Sequence, residues 1–339
     1  MRHSLKASAL LLGLSVFINA QKCPDYGIRE CTAPEILALE TDNCTDYHIF
    51  VARGSDSAYP GHQGDLIHLV CDGIDASCNY ENIIYPANSS WSGEGVWCPS
   101  AEKGTKNGRT QMQDYAERCP DSKLILFGYS QGASVALDIL GGGGGAIYDC
   151  EQDSNPALDR STVPGSHLLA AAVFGAPRRT ANQTYSHGDG ANYNGTAART
   201  EEQLAGLAPY SDVLREYCNY GDPICAPGTE PMVVENHWSY FEKFQDEVAE
   251  WVIKISKEDE DQGKNNSSST SKSATTATAT SKLSTGKPTA SATETLDVQN
   301  NAAETTSADA TGTAPKMTWG AGGSLGALVM GIAIAVSML

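Results

Sequence analysis

The chain has 339 residues and a formal net charge of −18, from 41 Asp and Glu against 23 Lys and Arg. So acidic a chain lacks the basic face that phosphate contacts require, which argues against nucleic-acid binding. Aromatic residues make up 7% and aliphatic runs recur through the first three quarters of the sequence, so a substantial core is expected there.

In chain order, the first segment is a leader. Arg2 and Lys6 form a basic start, Ala7 to Phe17 is a short apolar stretch, and Ile18-Asn19-Ala20 resembles a small-residue cleavage site. Residues 1–20 therefore read as a signal peptide, because the apolar stretch is too short to span a bilayer. The globular part, residues 21–257, contains all ten cysteines. An even number behind a leader argues for disulfides, and no spacing matches a zinc site. Sequons at Asn43, Asn88, Asn182, Asn194, Asn265 and Asn266 fit a secreted chain.

Within this domain, Tyr47 to Ala52 (YHIFVA) reads as a strand and Asp65 to Cys71 as a helix. Asn82 to Tyr85 (NIIY) reads as a second strand, and Gln111 to Arg118 lies in a helical stretch. Lys123 to Phe127 is an apolar run that reads as a buried strand, and Ala133 to Leu140 has apolar residues at helical spacing. Gly141 to Gly145 reads as a flexible loop; it lacks the Lys-Ser/Thr of a phosphate-binding loop. Leu168 to Phe174 is another buried strand, Val213 to Tyr217 a shorter one, and Trp238 to Ile255 a closing amphipathic helix. Strands alternating with helices predict a mostly parallel sheet covered on both faces, with its functional site beyond the carboxyl ends of the strands.

Two segments follow the domain. Residues 258–315 open with Glu258-Asp259-Glu260-Asp261 and are dominated by Ser, Thr and Ala. They read as a disordered, O-glycosylated stalk, or as an unmodified linker, because they offer little apolar surface to bury. Residues 316–339 include an uncharged run from Trp319 to Leu339 with no basic residue after it. Behind the small residues Ser307 to Gly312, that order matches a GPI-attachment signal, the alternative being a single membrane helix.

The chemistry centres on Gly128-Tyr129-Ser130-Gln131-Gly132, placed between the strand and the helix. G-x-S-x-G at a strand-to-helix turn is the nucleophile-elbow pattern, which lifts the serine out of the sheet. A serine needs a base, and in the elbow folds the order is Ser, then Asp or Glu, then His. Three histidines follow Ser130. His167 opens a buried strand, His187 lies in a polar loop, and His237 precedes the last helix. Asp222 lies between Cys218 and Cys225, where a short disulfide loop would hold it rigid; Asp212 competes but sits before its strand, at the wrong end of the sheet. The favoured set is Ser130, Asp222 and His237.

Three blocks then resemble one family, the cutinases and acetylxylan esterases of carbohydrate esterase family five. HIFVARGS resembles the first strand and its oxyanion loop, CPDSKLILFGYSQGA the elbow, and YCNYGDPIC with the following histidine the acid and base loops. The resemblance implies a single-domain α/β-hydrolase fold, Ser130 as nucleophile, His237 as base and Asp222 as its orienting acid. It implies an oxyanion hole from the Gln131 N–H and Ser55, disulfides Cys44–Cys119 and Cys218–Cys225, and no metal or organic cofactor. By proximity in sequence, Cys23–Cys31, Cys71–Cys78 and Cys98–Cys150 are expected. The implied substrates are esters of polysaccharides, polyesters or small lipids, acted on by a monomer tethered to the membrane through its anchor. Tyr59, Tyr129 and Trp238 are candidates for stacking on sugar rings, and Pro231 to Val234 for an apolar contact with lipid. A wall protein or adhesin that keeps the fold without catalysis is the competing reading, and a peptidase a weaker one.

Overall fold

The computed structural model describes residues 33–270, with side chains through residue 262. The expected leader, Cys23 and Cys31, Asn265 and Asn266, most of the stalk and the C-terminal tail lie outside what is described.

A short helix α1 (Pro34–Leu37) leads into strand β1 (Tyr47–Ala52), helix α2 (Gly64–Gly73) and strand β2 (Cys78–Asn82). Helix α3 (Trp97–Arg118), strand β3 (Lys123–Tyr129) and helix α4 (Gln131–Gly141) follow. Then come strands β4 (Gly143–Ile147), β5 (Cys150–Asn155), β6 (Leu168–Phe174) and β7 (Ser186–His187), helix α5 (Glu201–Leu207) and strand β8 (Leu214–Tyr217). Helices α6 (Glu235–Trp238) and α7 (Tyr240–Thr270) complete the described chain.

Six strands form one sheet in the order β2-β1-β3-β6-β8-β7, with every pairing parallel. Both faces are covered, which explains why the central strands are apolar without alternation. Ile49, Val51, Ile125 and Phe127 pack with Leu66, Val70, Val248 and Val252 from α2 and α7. Their neighbours Phe50, Leu124 and Leu126 point the other way, onto Met112, Tyr115, Val135 and Ile139 of α3 and α4.

Four local expectations need correction. The pairing of β2 ends at Asn82, so NIIY begins where the ladder stops. Ile83 and Tyr85 are buried but Ile84 is 55% exposed, since the chain is leaving the sheet edge. Helix α3 starts at Trp97, fourteen residues before the expected stretch. Gly104 and Gly108 disguise it, yet a Cβ there would lie 2.9 Å from Val135 and 2.6 Å from Ile139, so they let α3 approach α4.

The glycine run is not a loose loop: Gly143–Ile147 pairs antiparallel with Cys150–Asn155. Its carbonyls receive hydrogen bonds from distant side chains, Arg199 to Gly142 (3.2 Å) and Arg178 to Gly144 (2.9 Å) and Gly145. Arg199 is itself paired with buried Asp138 at 2.9 Å. Finally, α7 runs on through Thr270, so no disordered stalk begins at Glu258. Asp259 pairs with Lys123 at 3.0 Å and Tyr47 donates to Glu260 at 3.3 Å.

The disulfides Cys44–Cys119, Cys71–Cys78, Cys98–Cys150 and Cys218–Cys225 are all formed. Among the described residues no helix is long and apolar enough to cross a membrane.

Candidate active site

The carboxyl ends of β1, β3, β6 and β8 lie on one edge of the sheet, and each contributes to the site. After β3 the chain turns at once into α4, and Ser130 occupies the turn with φ 56° and ψ −118°. A non-glycine residue held there costs on the order of 1–3 kcal/mol, so the surroundings must enforce it. The flanking glycines make the turn possible. A Cβ on Gly128 would lie 2.5 Å from the Gly132 carbonyl oxygen, and one on Gly132 would lie 2.0 Å from that of Ala52.

His237 ends up beside Ser130, with Nε2 2.9 Å from Oγ, although 107 residues separate them. It sits in α6, and Tyr129 donates a hydrogen bond to its main-chain oxygen at 2.8 Å. Its Nδ1 lies 2.8 Å from Oδ2 of Asp222. That carboxylate is fully buried in the loop after β8. The other oxygen, Oδ1, accepts from the N–H groups of Ile224 (2.7 Å) and Cys225 (3.3 Å) within the loop that the Cys218–Cys225 disulfide closes. Burial alone would raise the Asp222 pKa. The charge of His237, with hydrogen bonds from His237, Tyr240 and Ile224, outweighs it and holds the carboxyl below its ordinary value.

Tyr240 was not anticipated. Its fully buried hydroxyl donates to Asp222 Oδ2 at 2.6 Å and accepts from the Asn219 N–H at 3.0 Å. Burial, then the Asp222 charge, pushes the Tyr240 hydroxyl well above its ordinary value, so it remains a donor. No local sequence signal marks it, since His237 lies in α6 and Tyr240 opens the separate helix α7. Arg53 was also missed. It bonds the main-chain oxygens of Ser57 (2.7 Å), Tyr85 (2.8 Å) and Pro86 (3.0 Å), which fixes the loop carrying Ser55.

Ser55 follows β1 and lines the same groove as Ser130. Gln131 is the first residue of α4, where an N–H has no partner within the helix. Its side chain is held between the Ser100 hydroxyl (3.0 Å) and the Asn88 carbonyl (2.8 Å), which fixes the residue that would present that N–H.

The groove encloses about 860 Å³. One part of its lining is polar, with Ser55, Asp56, Ser57, Ser89 and Ser90; the other includes Ile224, Val234 and Trp238. Trp91, 93% exposed, and Trp238, 39% exposed, both border it. Of the expected stacking residues, Trp238 is the one that is both partly exposed and on the groove lining. Tyr129 is buried, its ring against His237 and its hydroxyl committed, and Tyr59 packs under Arg53 away from the groove lining. Val234 lines the groove, and its neighbours Met232 and Val233 are exposed.

The competing candidates lie elsewhere. His167 is in a turn at the start of β6, and His187 is in edge strand β7, stacked on Tyr217. Asp212 is exposed at the amino end of β8. Among the described residues no cluster of His, Cys, Asp and Glu has the makings of a metal site.

A parallel sheet with a strained serine elbow at its carboxyl edge, and an imidazole and a carboxylate in line behind it, defines an α/β-hydrolase. The chain belongs to the Cutinase family, whose model matches residues 43–255. It is 29% identical over 204 residues to Cutinase 11 of Verticillium dahliae, covering 59% of this chain and 66% of that one. It is 28% identical over 213 residues to an acetylxylan esterase of Hypocrea jecorina, covering 62% and 67%. The chain thus matches about two thirds of the length of these relatives. Among solved structures, the catalytic core domain of acetyl xylan esterase from Trichoderma reesei aligns at a TM-score of 0.51 and 25% identity, over 64% of this chain and 99% of that one.

Proposed function

We propose that the chain is a serine esterase that hydrolyses carboxylic esters through an acyl-enzyme. The observation that carries this reading is the unbroken line from Ser130 Oγ through His237 to Asp222, at 2.9 and 2.8 Å. Ser130 Oγ attacks the ester carbonyl carbon while His237 Nε2 takes its proton. The electron pair of the C=O bond moves onto oxygen, where the Gln131 N–H and Ser55 meet the new charge. The tetrahedral intermediate collapses, the C–O bond to the alcohol breaks, and the imidazolium returns the proton to that alcohol. Water repeats the sequence and releases the acid. Asp222 keeps the Nδ1–H pointed at itself and stabilises the imidazolium without taking the proton.

The preferred substrates are short acyl groups, acetyl to butyryl, on a plant or wall polysaccharide. Serine hydroxyls and Asp56 along one part of the groove can meet sugar hydroxyls, and the exposed indole of Trp91, with the partly exposed Trp238, can lie on sugar rings. A second reading, longer acyl chains as in a cutinase or lipase, is favoured by Ile224, Val234 and the exposed Met232 and Val233. Each buried methylene would add about 0.8 kcal/mol. The enzyme is secreted, tethered by a GPI anchor, monomeric, and needs no cofactor.

The test is a panel of p-nitrophenyl esters from two to twelve carbons, run beside acetylated xylan and a cutin film. Ser130→Ala should lower turnover by roughly four to six orders of magnitude with the fold kept. A Ser130→Ala protein of near-normal activity, free of contaminating esterase, would refute the mechanism. Efficiency that climbs beyond eight carbons with no acetate released from xylan would favour the second reading.

A further inference from the structure

The sequon Asn88-Ser89-Ser90 is built into the rim of the catalytic groove. Ser89, Ser90 and the exposed Trp91 all line the groove with Ser130. The Asn88 main chain is fixed to the oxyanion side of the site. Its N–H donates to Ser100 Oγ at 2.9 Å, that hydroxyl donates to Gln131 Oε1 at 3.0 Å, and Gln131 Nε2 donates to the Asn88 carbonyl at 2.8 Å. The side-chain amide behaves differently. It makes no hydrogen bond to the described protein, and neither of its polar atoms is among the buried unpartnered ones, so Nδ2 reaches solvent. The sequons at Asn43, Asn182 and Asn194 are exposed, but none lines the groove.

We propose that Asn88 carries an N-linked glycan which stands at the mouth of the groove and screens substrates by size. Nδ2 displaces the diphosphate of a lipid-linked oligosaccharide. A C1–Nδ2 bond forms, the C1–O bond to the diphosphate breaks, and the amide gives up one proton. The root of the glycan is then fixed relative to the site, because its residue is tied to Gln131. Small esters pass it. A polysaccharide chain must lie along the same rim and competes with it for space. Nothing in the chemistry at Ser130 changes, so the effect falls on polymer binding and leaves turnover of small esters alone. The inference rests on the secretory reading of the chain.

The experiment uses the full chain secreted from a eukaryotic host. Peptide mass analysis before and after peptide N-glycosidase reads occupancy at Asn43, Asn88, Asn182 and Asn194. Activity on acetylated xylan and on p-nitrophenyl acetate is compared for the native protein, the enzymatically deglycosylated protein and Asn88→Gln. The expected result is an occupied Asn88 and, on its removal, a severalfold gain in kcat/KM on xylan with the small ester unchanged. Deglycosylation of the folded protein gives the same reading if Asn88→Gln folds poorly. A bare Asn88, alone or beside occupied Asn43, Asn182 or Asn194, overturns the proposal; a chain that stays inside the host under its own leader overturns the secretory reading instead. An occupied Asn88 whose removal leaves the xylan-to-acetate ratio unchanged overturns the screening role.

Discussion

Tyr240→Phe removes one hydroxyl and keeps the ring that packs between Tyr129, Phe174 and His237. Three contacts go with it: the 2.6 Å hydrogen bond to the Asp222 carboxylate, the acceptor for the Asn219 N–H at 3.0 Å, and a weaker 3.1 Å contact with Cys225 Sγ. A hydrogen bond to a buried charge contributes about 1.5–3 kcal/mol, and a buried N–H left without a partner costs about 1–3 kcal/mol. These overlap, so a net loss of about 3 kcal/mol is expected at neutral pH. For a domain of this size that corresponds to a fall in Tm of about 6–12 °C. The loss should depend on pH. Asp222 has a depressed pKa in the fold, so the stability its carboxylate contributes is fully present above the unfolded value of about 3.9 and disappears as pH falls through the folded value. Tyr240 is one of the groups that depress it. The gap between native and variant should therefore be widest above pH ~5 and narrow as the carboxyl takes its proton in the acid. The assay is thermal unfolding by circular dichroism, from neutral pH down to the lowest pH at which both proteins still fold. A variant as stable as the native protein, or a deficit that stays constant down to full protonation, would refute the assignment of Tyr240 as the carboxylate's partner.

Other substitutions separate the remaining parts of the site. Asp222→Asn keeps the shape but favours the wrong imidazole tautomer and should cut turnover by up to ~10⁴, whereas Asp212→Asn, at the exposed far end of β8, should change little; steady-state kinetics of the two variants decide, and a crippled Asp212→Asn would reverse the choice of acid. Gly132→Ala drives a Cβ against the backbone of Ala52 and Arg53, so it should destabilise by about 3 kcal/mol or more and lower kcat by disturbing the Ser55 loop; urea unfolding and kcat measure both. Burial raises the hydroxyls of Tyr85, Tyr129 and Tyr240, and that of Tyr210 to about 12. The folded chain therefore keeps protons that the unfolded chain sheds above pH about 10, and stability should fall as pH rises beyond that point, which unfolding midpoints between pH 8 and 11 will test.

The candidate site residues are legible in the sequence, because each carries a local signature. The LILF run before Gly-Tyr-Ser-Gln-Gly marks a strand breaking into a helix, and two glycines allow the contact with the Ala52 carbonyl that such a turn demands. Asp222 stood out because the cysteines on either side close a seven-residue step, and His237 because it precedes the terminal helix. What the sequence did not disclose depends on contacts between distant segments. The glycine run after α4 reads as loose because the guanidiniums that bond its carbonyls come from Arg178 and Arg199, more than thirty residues away. Helix α3 was half hidden because Gly104 and Gly108 lower helix propensity, and only packing on Val135 and Ile139 explains them. Tyr129 and Tyr240 look like ordinary aromatic residues in the sequence. Only the fold brings one hydroxyl to the His237 backbone and the other to the Asp222 carboxylate, because a hydrogen bond depends on where two distant segments meet and periodicity carries no record of it.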